Sequence, residues 1–148
     1  TAFAHKSIHA LSYGQKKRVC LAGVLAMGPE VILLDEPTSS LDPMGVSAIM
    51  HLLRDLNRDH GVTFVMSTHS VDLVPLFIDR AIVLNQGKVV KEGSPQEVFA
   101  DTGTLRSAHL RLTQIGHLFE IMKKKNLLDT ARIPLTIGEA YQEFKERL

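Results

Sequence analysis

Apolar and polar positions in the first part of the chain switch between two periods, predicting helices and strands in alternation. Val31-Ile32-Leu33-Leu34 is a short apolar run between Gly28-Pro29 and the adjacent acids Asp35 and Glu36. A run of that kind predicts a buried parallel strand at 31–35 with charges at its carboxyl end. Ligands of open α/β sheets bind at that end. Val62-Thr63-Phe64-Val65-Met66 is β-branched and aromatic enough for a second buried strand, closing on Ser67-Thr68-His69. Between the two, Asp42-Pro43 is a cap followed by proline at the first helical position. Ile49, Leu52, Leu53 and Leu56 then recur at helical spacing until Gly61. Upstream, Ser12 is placed to cap a helix over about 14–27, stopped by Gly28-Pro29.

The pattern continues with a short helix from Ser70 and a strand at 80–84. The turn Asn85-Gln86-Gly87 returns the chain along 88–92 as a hairpin. Ser94-Pro95-Gln96-Glu97 has the capping-box pattern and predicts a helix over 95–100. Composition shifts near Asp101-Thr102-Gly103, where a domain boundary is expected, giving parts 1–102 and 103–148. In the second part Ile115, Leu118, Phe119 and Met122 form one helical stripe, with Lys123 to Lys125 at its favourable C-terminal end. Thr136-Ile137-Gly138-Glu139 is a further capping box, and Ile137, Ala140, Tyr141, Phe144 and Leu148 make a second stripe. The fold class is therefore α/β with a mainly parallel sheet, followed by a small helical appendage.

Composition narrows the class of protein without naming it. The 148 residues suffice for one domain with a real core, and 45% hydrophobic with 22% charged residues is ordinary for a globular chain. A net charge of +1 provides no electrostatic footprint for nucleic acid or acidic lipid. Cys20 is alone, so no disulfide framework exists and a reducing compartment is the simpler reading. No apolar stretch approaches the roughly 20 residues that span a bilayer. Thr1 stands where no initiator Met or signal sequence is seen, and the chain is expected to be a fragment.

Two stretches carry chemistry. The run Asp35-Glu36-Pro37-Thr38-Ser39-Ser40-Leu41-Asp42 sets two acids at a strand end, where one can hold a hard cation and the other can act as a base. Leu11-Ser12-Tyr13-Gly14-Gln15 sets a hydroxyl and free N–H groups at a helix start, an anion site. Their order, with the helix and strand between them, resembles the ATP-binding subunit of ABC transporters: signature motif, helix, Walker B strand, D-loop. The resemblance implies the C-terminal part of a P-loop NTPase domain. It covers residues from about 9 to 100. The phosphate loop G-x-x-x-x-G-K-[ST] of that fold occurs nowhere in the 148 residues.

The resemblance also implies roles. Asp35 matches the aspartate that holds Mg2+, usually through water, and Glu36 the glutamate that polarises the attacking water. His69 matches the switch histidine at the γ-phosphate, a role suited to an imidazole whose other nitrogen is oriented by a carbonyl. Ser12, Gly14 and Gln15 match the signature that binds the ATP of a second subunit, with Tyr13 replacing a glycine and crowding the approach. Asp42 matches the D-loop aspartate that crosses the dimer interface. Each residue also has a plainer structural reading. The acids could be a solvated strand end, Ser12 and Asp42 ordinary helix caps, and His69 a structural histidine; for Asp42 the two readings are compatible. His5 and His9 lie four apart, but no carboxylate or thiol joins them as a metal site. Cys20 is expected to be a small buried hydrophobe, and the methionines and aromatics to belong to the core.

Gln15-Lys16-Lys17-Arg18-Val19, Ala22 to Met27, Leu105 to Leu112 and Ile133-Pro134-Leu135-Thr136-Ile137-Gly138-Glu139-Ala140 resemble the cobalt-, nickel- and vitamin-importer ATPases of the energy-coupling-factor group. For the intact protein that resemblance implies ATP and Mg2+ as cofactors, and a homo- or heterodimer of ATP-binding subunits. It also implies separate transmembrane partners, no nucleic acid, and a place on the cytoplasmic face of the cell membrane. The fragment alone is expected to be inactive. The alternative is a non-transport ABC ATPase of DNA repair or translation, which the absence of heptads and the near-neutral charge disfavour.

Overall fold

The computed structural model describes residues 7–128, 130 and 132–145. Its contacts divide the chain into two compact units, Thr1–His69 and Ser70–Leu148.

In the first unit, helix α1 (Tyr13–Leu25) starts at the Ser12 cap, and Gly28 turns the chain at φ 66°. Strand β1 (Val31–Asp35) follows, then helix α2 (Pro43–His60) and strand β2 (Thr63–Ser67). Gly61 closes α2 in the left-handed conformation, with its N–H on the carbonyl of Asn57. The strands pair in parallel, from Val31 opposite Thr63 to Asp35 opposite Ser67. That register fixes the site, because it sets a carboxylate and a hydroxyl side by side at the strands' carboxyl ends. Ile49, Met50 and Leu53 are the buried residues of α2; of the expected stripe Leu56 is half-buried and Leu52 is exposed, its place taken by Met50.

Burial of the strands departs from expectation. Side chains alternate between the faces of a sheet, and only the face of Ile32, Leu34, Phe64 and Met66 is covered. On the other face Val31, Leu33 and Val65 are exposed, Leu33 at 76%. Cys20 is exposed as well, contrary to the expected buried thiol, because α1 has no apolar stripe and buries Leu21 alone. Met27, Met44, Tyr13 and Tyr141 are also exposed, whereas Met50, Phe99 and Phe119 lie in the interior.

The second unit begins with a 3-10 turn at 71–73 and helix α3 (Val74–Phe77). Strands β3 (Ala81–Asn85) and β4 (Lys88–Gly93) then form the expected antiparallel hairpin. Its two-residue turn takes positive φ at both Gln86 and Gly87, the geometry that matches strand twist. Among the described residues parallel pairing is thus confined to β1 and β2. Helices α4 (Pro95–Ala100), α5 (Thr102–Ser107), α6 (Gln114–Lys124) and α7 (Ile137–Lys145) complete the unit.

Val71, Val83, Val98, Phe99, Leu105, Leu112 and Leu135 form one core. Residues on both sides of position 102 therefore share it. Asp72 accepts from Arg111 at 2.9 Å and from the backbone of Gln114 at 2.7 Å, which fixes the start of α6. Phe119 and Phe144 meet with ring centres 5.4 Å apart, whereas Leu118 of the first predicted stripe and Ile137 and Tyr141 of the second are exposed. The capping box at Ser94 forms as expected. At Thr136 it forms in altered register: Glu139 accepts from the N–H of Leu135 at 2.6 Å, one residue earlier than a box requires. Leu148 lies outside the described residues.

Candidate functional site

Every sequence-selected site residue falls in the first unit. Asp35 and Glu36 stand where β1 ends, and the Ser67 hydroxyl opposite them serves both. It donates to Asp35 Oδ1 at 2.5 Å and accepts the backbone N–H of Glu36 at 3.0 Å. Glu36 has φ 44°, and Ser40 in the same turn has φ 59°. A non-glycine residue holds that conformation only where its surroundings impose it. The Glu36 carboxylate meets His69 Nε2 at 3.2 Å, with the imidazole side chain 93% exposed and the glutamate side chain 28%. The chemistry available here is a carboxylate that can take a proton, an imidazole that can donate one, and a second carboxylate with one oxygen already engaged.

The carbonyl side of the same turn is held from α1. Lys17 Nζ donates to the carbonyls of Glu36 at 3.1 Å, Pro37 at 2.9 Å and Ser39 at 2.8 Å, and to Ser39 Oγ at 3.2 Å. Ser39 Oγ also donates to the Glu36 carbonyl at 2.9 Å. Pro37 and Thr38 are buried beneath the turn.

At the start of α1 the capping box is complete: the N–H of Ser12 donates to Gln15 Oε1 at 3.0 Å, and that of Gln15 to Ser12 Oγ at 3.3 Å. Gln15 is thus engaged in capping, while the Ser12 hydroxyl keeps its own hydrogen to donate. Gly14 packs close to the following loop, since a Cβ there would sit 3.2 Å from Leu41 Cδ2. The exposed Tyr13 ring turns toward Lys17, whose Nζ lies 5.1 Å from the ring centre. Asp42 is the N-cap of α2, accepting from the N–H of Gly45 at 2.8 Å.

The structure therefore brings together Asp35, Glu36 and His69, and adds three residues the sequence reading passed over: Lys17, Ser39 and Ser67. The only signal for Lys17 was its place in the Gln15-Lys16-Lys17-Arg18 run. Ser67 was visible only as the residue before Thr68-His69. His5, half of the histidine pair considered above, lies outside the described residues. Among the described residues no three His, Cys, Asp or Glu side chains cluster as a metal site. One carboxylate suits Mg2+ nonetheless, because that ion keeps waters and phosphate oxygens as its other ligands. A cavity of about 440 Å3, lined in part by Leu25, Pro29, Glu30 and His60, opens at the other end of the strands.

A parallel β-α-β unit with paired acids at the strand end and a serine-capped, glycine-bearing helix start is an arrangement of α/β proteins suited to holding a phosphate group. A family model described as "AAA domain, putative AbiEii toxin, Type IV TA system" matches residues 7–74. The energy-coupling factor transporter ATP-binding protein EcfA of Methanococcus maripaludis is 53% identical over 97% of this chain and 51% of its own length. Among solved structures, cbiO1 from Clostridium perfringens, part of the ABC transporter complex cbiONQ, superposes with a TM-score of 0.62. It is 52% identical, over 78% of this chain and 46% of that one. The dimeric post-hydrolysis cassette MJ0796 bound to ADP and Pi has a TM-score of 0.57 at 39% identity, over 64% of this chain and 40% of that one. Over nearly its whole length the chain is similar to energy-coupling-factor ATP-binding proteins, and over most of it to a solved ABC transporter cassette. It spans about half the length of the curated relatives it matches.

Proposed function

We propose that these residues are the C-terminal half of an ATP-hydrolysing subunit that powers an importer for a metal ion, such as cobalt, or a vitamin. The observation that carries the reading is the Glu36 turn, where a strained backbone held on both sides presents a carboxylate beside His69 and Asp35. Glu36 orients the attacking water and accepts its proton. His69 donates to a γ-phosphate oxygen. Asp35 would hold Mg2+, which would supply positive charge against the phosphate oxygens.

Ser12, Gly14 and the N–H groups of the α1 start engage the ATP of a partner subunit, while Gln15 holds that start in its capping box. Asp42 faces the partner across the interface. In this reading residues 1–102 belong to the cassette and 103–148 to a helical extension packed on it through the core that Val83 and Phe99 share with Leu105 and Leu112. Dimeric relatives and the cbiONQ complex support two ATP-binding subunits working with membrane-spanning partners on the cytoplasmic face of the membrane. None of the described helices is long and apolar enough to cross a membrane. The expected result in the complete subunit, these residues joined to a phosphate loop, is phosphate release that requires both ATP and a divalent cation. No release, or release independent of the cation, would overturn the reading.

A further inference from the structure

The signature helix and the Glu36 turn lie on separate elements, and one ammonium group joins them. Lys17 Nζ has three hydrogens and faces four oxygens of the 36–39 turn between 2.8 and 3.2 Å. Among those oxygens is the carbonyl of Glu36, the residue at φ 44°. A second ring of bonding closes through Ser39, whose hydroxyl accepts from Lys17 and donates to the same carbonyl. The ammonium also lies over the ring of Tyr13, 5.1 Å from its centre, a residue that stands where the signature pattern has glycine. A cation is attracted to the face of such a ring, so the ring restrains a long side chain that would otherwise sample many rotamers. Tyr13 is also the first residue of the helix whose start is the proposed phosphate contact.

We propose that Lys17 is a positioning residue: it sets the backbone from which the Glu36 carboxylate projects, and Tyr13 holds Lys17 in place. The inference deepens the ATPase reading and rests on it. Because the two ends of this chain of contacts sit on the signature helix and the catalytic turn, a shift of the helix start on meeting a neighbour's phosphate is passed to Glu36 through one side chain. Lys17 touches no substrate, so its loss acts on turnover and not on nucleotide affinity.

The test is steady-state ATP hydrolysis by the complete subunit carrying Lys17→Met, Lys17→Arg, Tyr13→Leu and the double change Tyr13→Leu/Lys17→Met, with Glu36→Gln as reference. Lys17→Met is expected to lower kcat about tenfold or more while KM for ATP stays within about twofold, a misplacement effect. Lys17→Arg, which keeps charge and donors, is expected to recover most of the loss. Tyr13→Leu is expected to lower kcat about threefold alone and to add nothing to Lys17→Met, the non-additivity of residues acting in series. Wild-type kcat in Lys17→Met, a fall in kcat matched by a rise in KM that Lys17→Arg does not recover, or additive effects in the double variant would overturn the proposal. Equal turnover in wild type and Glu36→Gln would instead remove the ATPase reading, and the proposal with it.

Discussion

The hydroxyl of Ser67 on β2 accepts the backbone N–H of Glu36 at 3.0 Å, across the parallel register that pairs Ser67 with Asp35. The same hydroxyl donates to Asp35, so one small side chain orders both acids of the site. Ser67→Ala removes both bonds. The expected cost is about 1 kcal/mol of stability in urea unfolding, with a fall in kcat larger than that loss explains, since Glu36 loses the partner on its N–H side. Unchanged turnover in Ser67→Ala would separate the hydroxyl from the site.

Asp42 and Gly45 act as one cap. The carboxylate accepts from Gly45 N–H at 2.8 Å, and a Cβ at position 45 would sit 2.7 Å from that same oxygen. Asp42→Ala should cost about 1 kcal/mol. Gly45→Ala should cost no more than the cap itself, because only the tip of the Asp42 side chain has to move and Ala favours the helix. Combined, the two should cost no more than Asp42→Ala alone, since the clash disappears with the carboxylate. Fully additive losses in urea unfolding would contradict this.

Three carboxyls of the second unit should contribute to acid sensitivity. Glu97 accepts from the backbone and hydroxyl of Ser94, and Asp101 from the backbone and hydroxyl of Thr104 with help from Lys91; both carboxyls are held below their ordinary range. At Glu120 burial works against ionisation, but Lys124 and Arg106 outweigh it and the carboxyl is again lowered. A folded pKa below the unfolded one means the unfolded chain binds more protons in the interval between them. The stabilisation is complete above about pH 5 and is lost as pH falls through about 4 toward the folded values. The melting temperature should therefore drop over that window, and more shallowly in Glu97→Gln/Asp101→Asn. An equally steep drop in that variant would place the acid sensitivity elsewhere.

The 148 residues alone contain no phosphate loop and expose Val31, Leu33 and Val65 on one sheet face. They are expected to release no phosphate from ATP above background and to bind an apolar dye on that face. Leu33→Thr, which keeps strand propensity, should reduce the dye signal. Clear turnover by the isolated chain would reveal a phosphate site of another kind.

Much of this was legible in the residues themselves. Capping at Ser12, Asp42 and Ser94 depends on side chains within three positions of the helix start, and all three caps form. The parallel pairing of 31–35 with 63–67 follows from two apolar runs joined by one amphipathic helix. What stayed hidden depends on partners distant in sequence. Lys17 reads as one charge in a basic run until the fold brings its ammonium to carbonyls 19 to 22 positions away. An all-apolar strand predicts burial on both faces, yet what lies over Leu33 is not written in β1. Cys20 shows the same limit, since a thiol on a helix without an apolar stripe has no face to bury. The change in composition at 101–103 could not reveal that Leu105, Leu112 and Leu135 share a core with Val83 and Phe99.

The most direct test of the account is the rate of phosphate release by the complete subunit carrying Glu36→Gln, measured beside wild type with ATP and Mg2+. The substitution keeps the side chain's size and removes the group that accepts the water's proton. The account predicts a fall of about 100-fold or more, with nucleotide retained and the dimer favoured. Turnover within about twofold of wild type would contradict it.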